Sequence, residues 1–431
     1  MKVALVNPRW TYTRSIYFGC REPHLPLELA YASALLERNG HQTLLLDGQL
    51  QGLDDRALAD AVAEFAPDFT VVTTAPTYLF WRCAPPELRV PRQFLDALGG
   101  RGGRTVAVGP HGSATPAPTL RKLGVDLVVR GESEEVVAAL AEADDWSQVP
   151  GTARLEDGVA RSVGGLHASW FVEHAPLRWP AAWITRHEHH HHRFDTPRRG
   201  WGAEVEASRG CPYACTFCAK LDFRDKYRKR KLELVLDEID GLIAQGVGYV
   251  YFIDEIFLPQ GPLLEALVSR DVSFGVQTRI DLWTPDQLEL LGAAGCVSIE
   301  AGLESLTVEG RASLAKRCKL DTEQLAELLI HARGFVPFVQ ANLIGTIQDE
   351  PALVEYWRNR LIANGVWANE PVPLYPYPSS PDYRLRWGEP DDRAWERAHE
   401  HYLSSFSSFS DIQDERPVPL SELEASCHRS S

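Results

Sequence analysis

The sequence predicts an α/β protein made of two parallel-sheet units in series and a helical tail. Three observations carry this reading. From Met1 to about Leu140, short apolar strands alternate with helical stretches, the pattern of repeated βαβ units. A second alternation runs from about Ala203 to Tyr383. At the end of its first strand sits Ser208-Arg209-Gly210-Cys211-Pro212-Tyr213-Ala214-Cys215-Thr216-Phe217-Cys218-Ala219-Lys220, three thiols spaced Cys-x-x-x-Cys-x-x-Cys.

In the first unit, strands are predicted at Lys2–Asn7, Gln42–Asp47, Phe69–Thr74, Arg104–Val108 and Asp126–Val129. The clearest helix is Leu25–Arg38, closed by Asn39-Gly40. No Gly-x-Gly-x-x-Gly follows the first strand, which disfavours a dinucleotide site. Residues 143–202 read as a linker with some β structure, rich in Trp and Pro. It contains Arg186-His187-Glu188-His189-His190-His191-His192-Arg193-Phe194. Adjacent imidazoles seldom converge on one ion, so a structural or substrate-facing role is favoured over a metal site. In the second unit, residues 203–383, strands are expected at Glu204–Ala207, Tyr249–Ile253, Phe274–Thr278, Cys296–Glu300, Phe338–Leu343 and Trp367–Leu374. The tail, 384–431, with Trp395, Tyr402, Phe406 and Phe409, is expected to form a helical cap over the barrel.

At 431 residues the chain exceeds one ordinary domain. Its 44% hydrophobic and 24% charged residues are those of a soluble globular protein, and no apolar run approaches a membrane span. The start reads as a strand and not as a signal peptide, so a cytoplasmic location is expected. Cys20, Cys83, Cys296, Cys318 and Cys427 are scattered, unlike a disulfide framework. A net charge of −15 argues against nucleic acid as a partner. No membrane partner is expected either.

Thiolates are the soft ligands an iron–sulfur cluster requires, and three of them leave one iron of a four-iron cluster open. A structural zinc site takes four ligands. No fourth Cys or His stands at suitable spacing, and a simple electron carrier has four thiolates. The spacing, with Phe217 before the last Cys, resembles the signature of the radical SAM superfamily. That resemblance implies a [4Fe-4S] cluster on Cys211, Cys215 and Cys218. It also implies that the open iron chelates S-adenosylmethionine (SAM), which is cleaved reductively to a 5′-deoxyadenosyl radical. A partial (β/α)6 barrel is implied as well, with its site at the C-terminal ends of the strands.

Asp254-Glu255 stand where relatives hold the SAM amino group. They also read as helix N-terminal acids. Arg279, in Gln277-Thr278-Arg279-Ile280-Asp281, resembles the position that pairs with the methionine carboxylate. Glu304-Ser305 resembles the family's Gly-x-Glu-Ser. Glu300, Gly302 and Glu304 share a strand face, which points Glu300 into the same cavity. Tyr213 and Phe217 offer aromatic surface to adenine or to packing; Asn342 and Asn369 are weaker candidates. The run Arg224–Lys231 reads as a docking face for an electron donor or as a solvated helix start. The donor is expected to be a flavodoxin or ferredoxin, or a dedicated NAD(P)H-dependent reductase.

Val106–His111 followed by Val128–Glu134 resembles the Rossmann-like cobalamin-binding domain that precedes many radical SAM barrels. The usual Asp-x-His-x-x-Gly is missing near the first strand; Asp47-Gly48-Gln49-Leu50-Gln51-Gly52 has Gln49 in place of the His. Since relatives with this departure include binders and non-binders, cobalamin stays open. His111 reads as a loop-capping residue more readily than as a ligand. Pro371–Pro381 resembles the segment that closes the barrel in cobalamin-type relatives.

Most relatives with this domain order are methyltransferases. The absent His and the short chain instead resemble the radical SAM diol dehydratases of aminoglycoside biosynthesis. Dehydration of an amino sugar such as paromamine is therefore the expected reaction, with Glu300 and His191 managing protons. Cobalamin-dependent C-methylation is the alternative, and an iron–sulfur redox protein is the non-enzyme reading.

Overall fold

The computed structural model describes residues 1–16, 22–77, 84–187, 200–405 and 416–425. It separates into two compact units. The first comprises residues 1–170, 217–225 and 375–431, the second 171–216 and 226–374. No helix among the described residues is long and apolar enough to cross a membrane.

The first unit is built on β1 (Lys2–Asn7), β2 (Gln42–Asp47), β3 (Phe69–Thr73), β4 (Arg104–Val108) and β5 (Leu127–Val129). They are parallel in the order β2-β1-β3-β4-β5. All five residues of β1 after Lys2 are buried, as expected of a strand covered on both faces. The helix after β1 spans Leu27–Arg38, starting behind Pro26, and ends at Asn39 with Gly40 at φ +85°. The segment expected to be a linker adds two strands, β6 (Thr152–Glu156) and β7 (Val159–Val163), antiparallel at the sheet edge beside β5. Asp157 and Gly158 turn this hairpin at φ +51° and +77°, the left-handed pair a two-residue turn needs.

The tail belongs to this unit. Its apolar residues Trp395, Ala398, Tyr402, Leu420 and Leu423 share a core with Val108, Val129, Tyr375 and Tyr383. Arg224 is buried as well, bonded to Glu28 at 2.7 Å and lying 3.8 Å from Glu132. Neither sequence reading of the run Arg224–Lys231 anticipated this.

His111 is 1% exposed and stacks on Trp395 with ring centroids 4.2 Å apart. Burial, reinforced by the Lys122 ammonium, lowers its pKa to about 3; the carbonyls of Pro86 and Pro85 oppose the shift. The folded ring therefore stays neutral while the unfolded chain takes up a proton near pH 6.5, so stability falls as pH drops from 6.5 towards 3. Between pH 7 and pH 4 the wild type should lose about 3 kcal/mol more stability than His111→Gln. Urea unfolding at the two pH values checks this, and parallel losses would refute it.

The second unit holds β8 (Trp201–Val205), β9 (Ser208–Arg209), β10 (Arg228–Lys229), β11 (Val247–Phe252), β12 (Ser273–Thr278), β13 (Cys296–Glu304), β14 (Phe338–Leu343) and β15 (Trp367–Ala368). Six are parallel in the order β15-β14-β13-β12-β11-β8, the sequential order of a partial (β/α) barrel. Helices Leu232–Ala244, Gly261–Leu267, Pro285–Ala293, Thr322–Arg333 and Pro351–Ala363 cross between them. Thr284 with Gln287, and Asp321 with Gln324, cap two of these helices reciprocally. β8 ends two residues earlier than expected, because Ala207 and Ser208 are drawn off by a side chain described below.

β15 is only two residues long. Pro371 and Pro373 cannot donate to a ladder. Before them, the Asn369 amide replaces backbone pairing, accepting from Leu343 N–H and donating to Leu343 C=O, both at 2.8 Å. Arg230 is a second buried member of the basic run. It bonds Glu238 at 2.7 Å with both side chains fully buried, and donates to the carbonyls of His174 and Ala175 at 3.0 Å.

Candidate active site

The cysteine loop is fixed at several points by groups of the second unit. β9 pairs with β10 and so closes the loop at its base. Asp254, two residues past the end of β11 and fully buried, accepts from the Ala207 N–H at 2.8 Å and the Ser208 hydroxyl at 2.5 Å. Burial raises its pKa well above the carboxylate range, against the two hydrogen bonds. Glu255 accepts from the Gly210 N–H at 2.7 Å. Gly210 takes φ +75°, and a Cβ there would lie 2.1 Å from the Lys226 carbonyl oxygen, so glycine is required. Further along, the Thr216 N–H donates to the Leu314 carbonyl at 3.1 Å.

Cys211, Cys215 and Cys218 are each partly exposed. Burial raises the Cys215 pKa, the Lys316 ammonium is the strongest opposing influence, and Arg279 opposes it too, while Glu304 adds to the rise. Arg279 is 5% exposed and lies 4.1 Å from the centre of the Tyr213 ring. Asp281 takes two of its nitrogens, at 3.1 and 2.7 Å, and the third, Nη1, is buried without a hydrogen-bond partner. Lys316, 3% exposed, pairs with Glu304 and donates to the Gly302 carbonyl at 2.8 Å.

The backbone around this pair is strained. Of six non-glycine residues with positive φ among those described, three are Glu304 (+62°), Ala315 (+51°) and Arg317 (+51°). Such conformations collect where structure is fixed for a purpose. Three soft thiolates fit an iron–sulfur cluster, and a buried guanidinium nitrogen lacking an acceptor fits an anionic ligand such as the SAM carboxylate.

The other residues singled out in the sequence fall into distinct settings. Asp254 has both oxygens engaged behind the loop, by Ala207 and Ser208. Ser305 is 1% exposed; it donates to Asp349 at 2.6 Å and accepts from Thr307 N–H at 3.0 Å, bracing a turn. The shared face of Glu300 and Glu304 is interrupted, since the register of β13 on β14 slips between Gly302 and Glu304. Glu300, 6% exposed, accepts from the Tyr251 hydroxyl at 3.1 Å. Asn342 accepts from the Gln340 amide, Asn369 completes the ladder described above, and Phe217 is half-buried. His191 lies outside the described residues. Lys316, Asp281 and Asp349 were missed: Lys316 stands in Lys316-Arg317-Cys318-Lys319, which reads as a solvated basic run.

In the first unit, the sheet order reverses between β1 and β3, where α/β sheets take ligands at the strand C-termini. Asn7 there accepts from Trp10 Nε1 at 2.8 Å and Thr73 at 2.9 Å, and donates to Asp47 at 2.6 Å. The adjacent Thr74 hydroxyl is fully buried without a partner, an orphaned polar atom that fits a ligand rich in amides and a phosphate.

Fold and site together define a protein that joins a Rossmann-like ligand domain to an iron–sulfur partial barrel. Comparison with known families names both parts: residues 20–141 match the B12 binding domain, and residues 205–351 match the Radical SAM superfamily. The chain therefore carries a B12-binding domain followed by a radical SAM domain, whose cofactors are cobalamin and, for the barrel, a [4Fe-4S] cluster with SAM.

An uncharacterized methyltransferase of Pyrococcus horikoshii is 25% identical over 71% of this chain and 66% of its own. An anaerobic magnesium-protoporphyrin IX monomethyl ester cyclase of Rubrivivax gelatinosus is 25% identical over 76% of this chain and 60% of its own. The chain thus spans about two thirds or less of the length of these relatives. The solved radical SAM methyltransferase TsrM of Kitasatospora setae shares the fold, with a TM-score of 0.71 and 20% identity over 89% of this chain and 76% of that one.

Proposed function

We propose that the protein is a cobalamin-dependent radical SAM methyltransferase, in place of the dehydratase expected from sequence. One observation carries this: most curated relatives matched across or within this pair of domains are methyltransferases or methylases. When bound, the cluster and SAM supply the hydrogen-abstracting radical and cobalamin supplies the methyl group. The chain's own residues hold and orient. Asp254 and Glu255 fix the backbone that presents the cysteines. Arg279, oriented by Asp281 and the Tyr213 ring, offers Nη1 to the SAM carboxylate, and Lys316 holds Glu304 beside it. Glu300 and Tyr251 orient the substrate within the barrel.

The test needs no acceptor. Protein reconstituted with iron and sulfide is incubated with SAM, reductant and hydroxocobalamin, then with cobalamin omitted. Methyl transfer predicts S-adenosylhomocysteine that appears only with cobalamin. Formation of 5′-deoxyadenosine alone, with or without cobalamin, would return the dehydration reading.

A further inference from the structure

Four acids of the second unit face a cation: Glu206 pairs with Arg209, Glu238 with Arg230, Asp281 with Arg279 and Glu304 with Lys316. Asp254 does not. It is 0% exposed, and among the described residues its hydrogen bonds come from the Ala207 N–H and the Ser208 hydroxyl alone. The charged groups that act on it, Glu206 and Glu255, are acids as well. A carboxylate buried among acids without a cation holds a proton far more tightly than one in water, because burial and like charge both penalise its ionised form.

The same carboxyl stands close to the cluster ligands. Ser208, its donor, precedes Cys211 by three residues, a reach of at most about 11 Å between their Cα atoms. Tyr227 joins the two places, since its hydroxyl is influenced by Ser208, Asp254 and Cys211 together. Burial pushes the Tyr227 pKa up to about 12, so the phenol keeps its own proton. At about 10 Å and an effective dielectric constant near 20, one added negative charge raises the proton affinity of a carboxylate about tenfold.

We infer that Asp254 is the proton acceptor coupled to reduction of the cluster. One electron entering the cluster brings one proton from water onto the Asp254 carboxylate, and the proton leaves when the electron does. The hydroxyls of Ser208 and of half-buried Tyr227 give that proton its route to the surface. The neutral acid removes a negative charge that would oppose the electron, so Asp254 does more than hold the loop. The inference goes beyond methyl transfer and applies whatever reaction the barrel performs.

The test is a dithionite redox titration of the full chain with its cluster reconstituted, followed by electron paramagnetic resonance between about pH 6 and about pH 9.5. Neither SAM nor cobalamin is added, so the result is independent of the methyltransferase reading. At the low end Asp254 is neutral in both cluster states, and at the high end it is ionised in both. The midpoint potential should therefore fall by about 59 mV as pH rises, the tenfold coupling expressed for one electron. Asp254→Asn should abolish the fall, and Glu255→Gln should keep it. Ser208→Ala removes a donor that favours the ionised carboxyl, so it should move the fall to higher pH. The inference is overturned if the wild-type potential is flat, if Asp254→Asn keeps the fall, or if Glu255→Gln loses it. Should Asp254→Asn hold no cluster, Ser208→Ala decides, and a fall left at the wild-type pH overturns the inference.

Discussion

Lys316→Met should reduce 5′-deoxyadenosine formation by about 10²–10³-fold while the cluster stays bound. The substitution leaves the Glu304 carboxylate, which is 15% exposed, without its cation and strips the Gly302 carbonyl of its donor. Removing one partner of a largely buried ion pair costs about 3–5 kcal/mol of stability; the rate loss expected here corresponds to SAM being held about 3–4 kcal/mol less favourably in the transition state, at about 1.4 kcal/mol per tenfold. The thiols are untouched, so iron and sulfide content should equal that of the wild type. The electron paramagnetic resonance spectrum of the reduced cluster should no longer change when SAM is added. Cys215→Ala supplies the contrast, because it should lose the iron itself. If Lys316→Met also lost its iron, Lys316 would be a support for the loop and not part of the SAM site. Lys316→Arg, which keeps the charge, should recover part of the activity.

Arg230→Met should destabilise the second unit by about 3–5 kcal/mol. The side chain is fully buried and bonds Glu238 and two backbone carbonyls. Its loss strands a carboxylate whose pKa burial already raises even with the guanidinium present. The double variant Arg230→Met/Glu238→Leu should regain most of the loss, since it replaces the pair with apolar volume and leaves no uncompensated charge. Urea unfolding measures both. A single variant within about 1 kcal/mol of wild type would show that solvent reaches Glu238.

Features that arise from local pattern were legible in the sequence. The parallel strands of the first sheet fall within a residue or two of their expected bounds, because buried runs such as Leu5-Val6 and Val71-Val72 permit little else. The cysteine loop was readable from ligand chemistry alone. The turn at Asp157-Gly158 carried a hairpin signal too, but the Trp- and Pro-rich surroundings concealed it.

Long-range partners were not legible. Nothing near Arg224 or Arg230 distinguishes a buried guanidinium from a solvated one, since Glu28 and Glu238 reach them only in the fold. Lys316 was hidden in the same way, and its strained turn depends on contacts with Glu304 and the cysteine loop. Asp254 was placed after its strand, but its bonds to Ala207 and Ser208 were not legible, because sequence does not tell which way a carboxylate turns.

The first unit draws on three stretches of chain lying far apart in sequence, and the last of them seals its core. Val418 N–H donates to the Arg14 carbonyl at 3.0 Å, and Glu422 pairs with Arg14. During translation the sheet must therefore wait, apolar face uncovered, while the whole barrel is synthesised before the helices that complete it emerge. Such ordering raises contact order, slows folding and exposes intermediates to aggregation. Expression yield should accordingly be more sensitive to chaperone supply and growth temperature than the stability of the finished fold suggests.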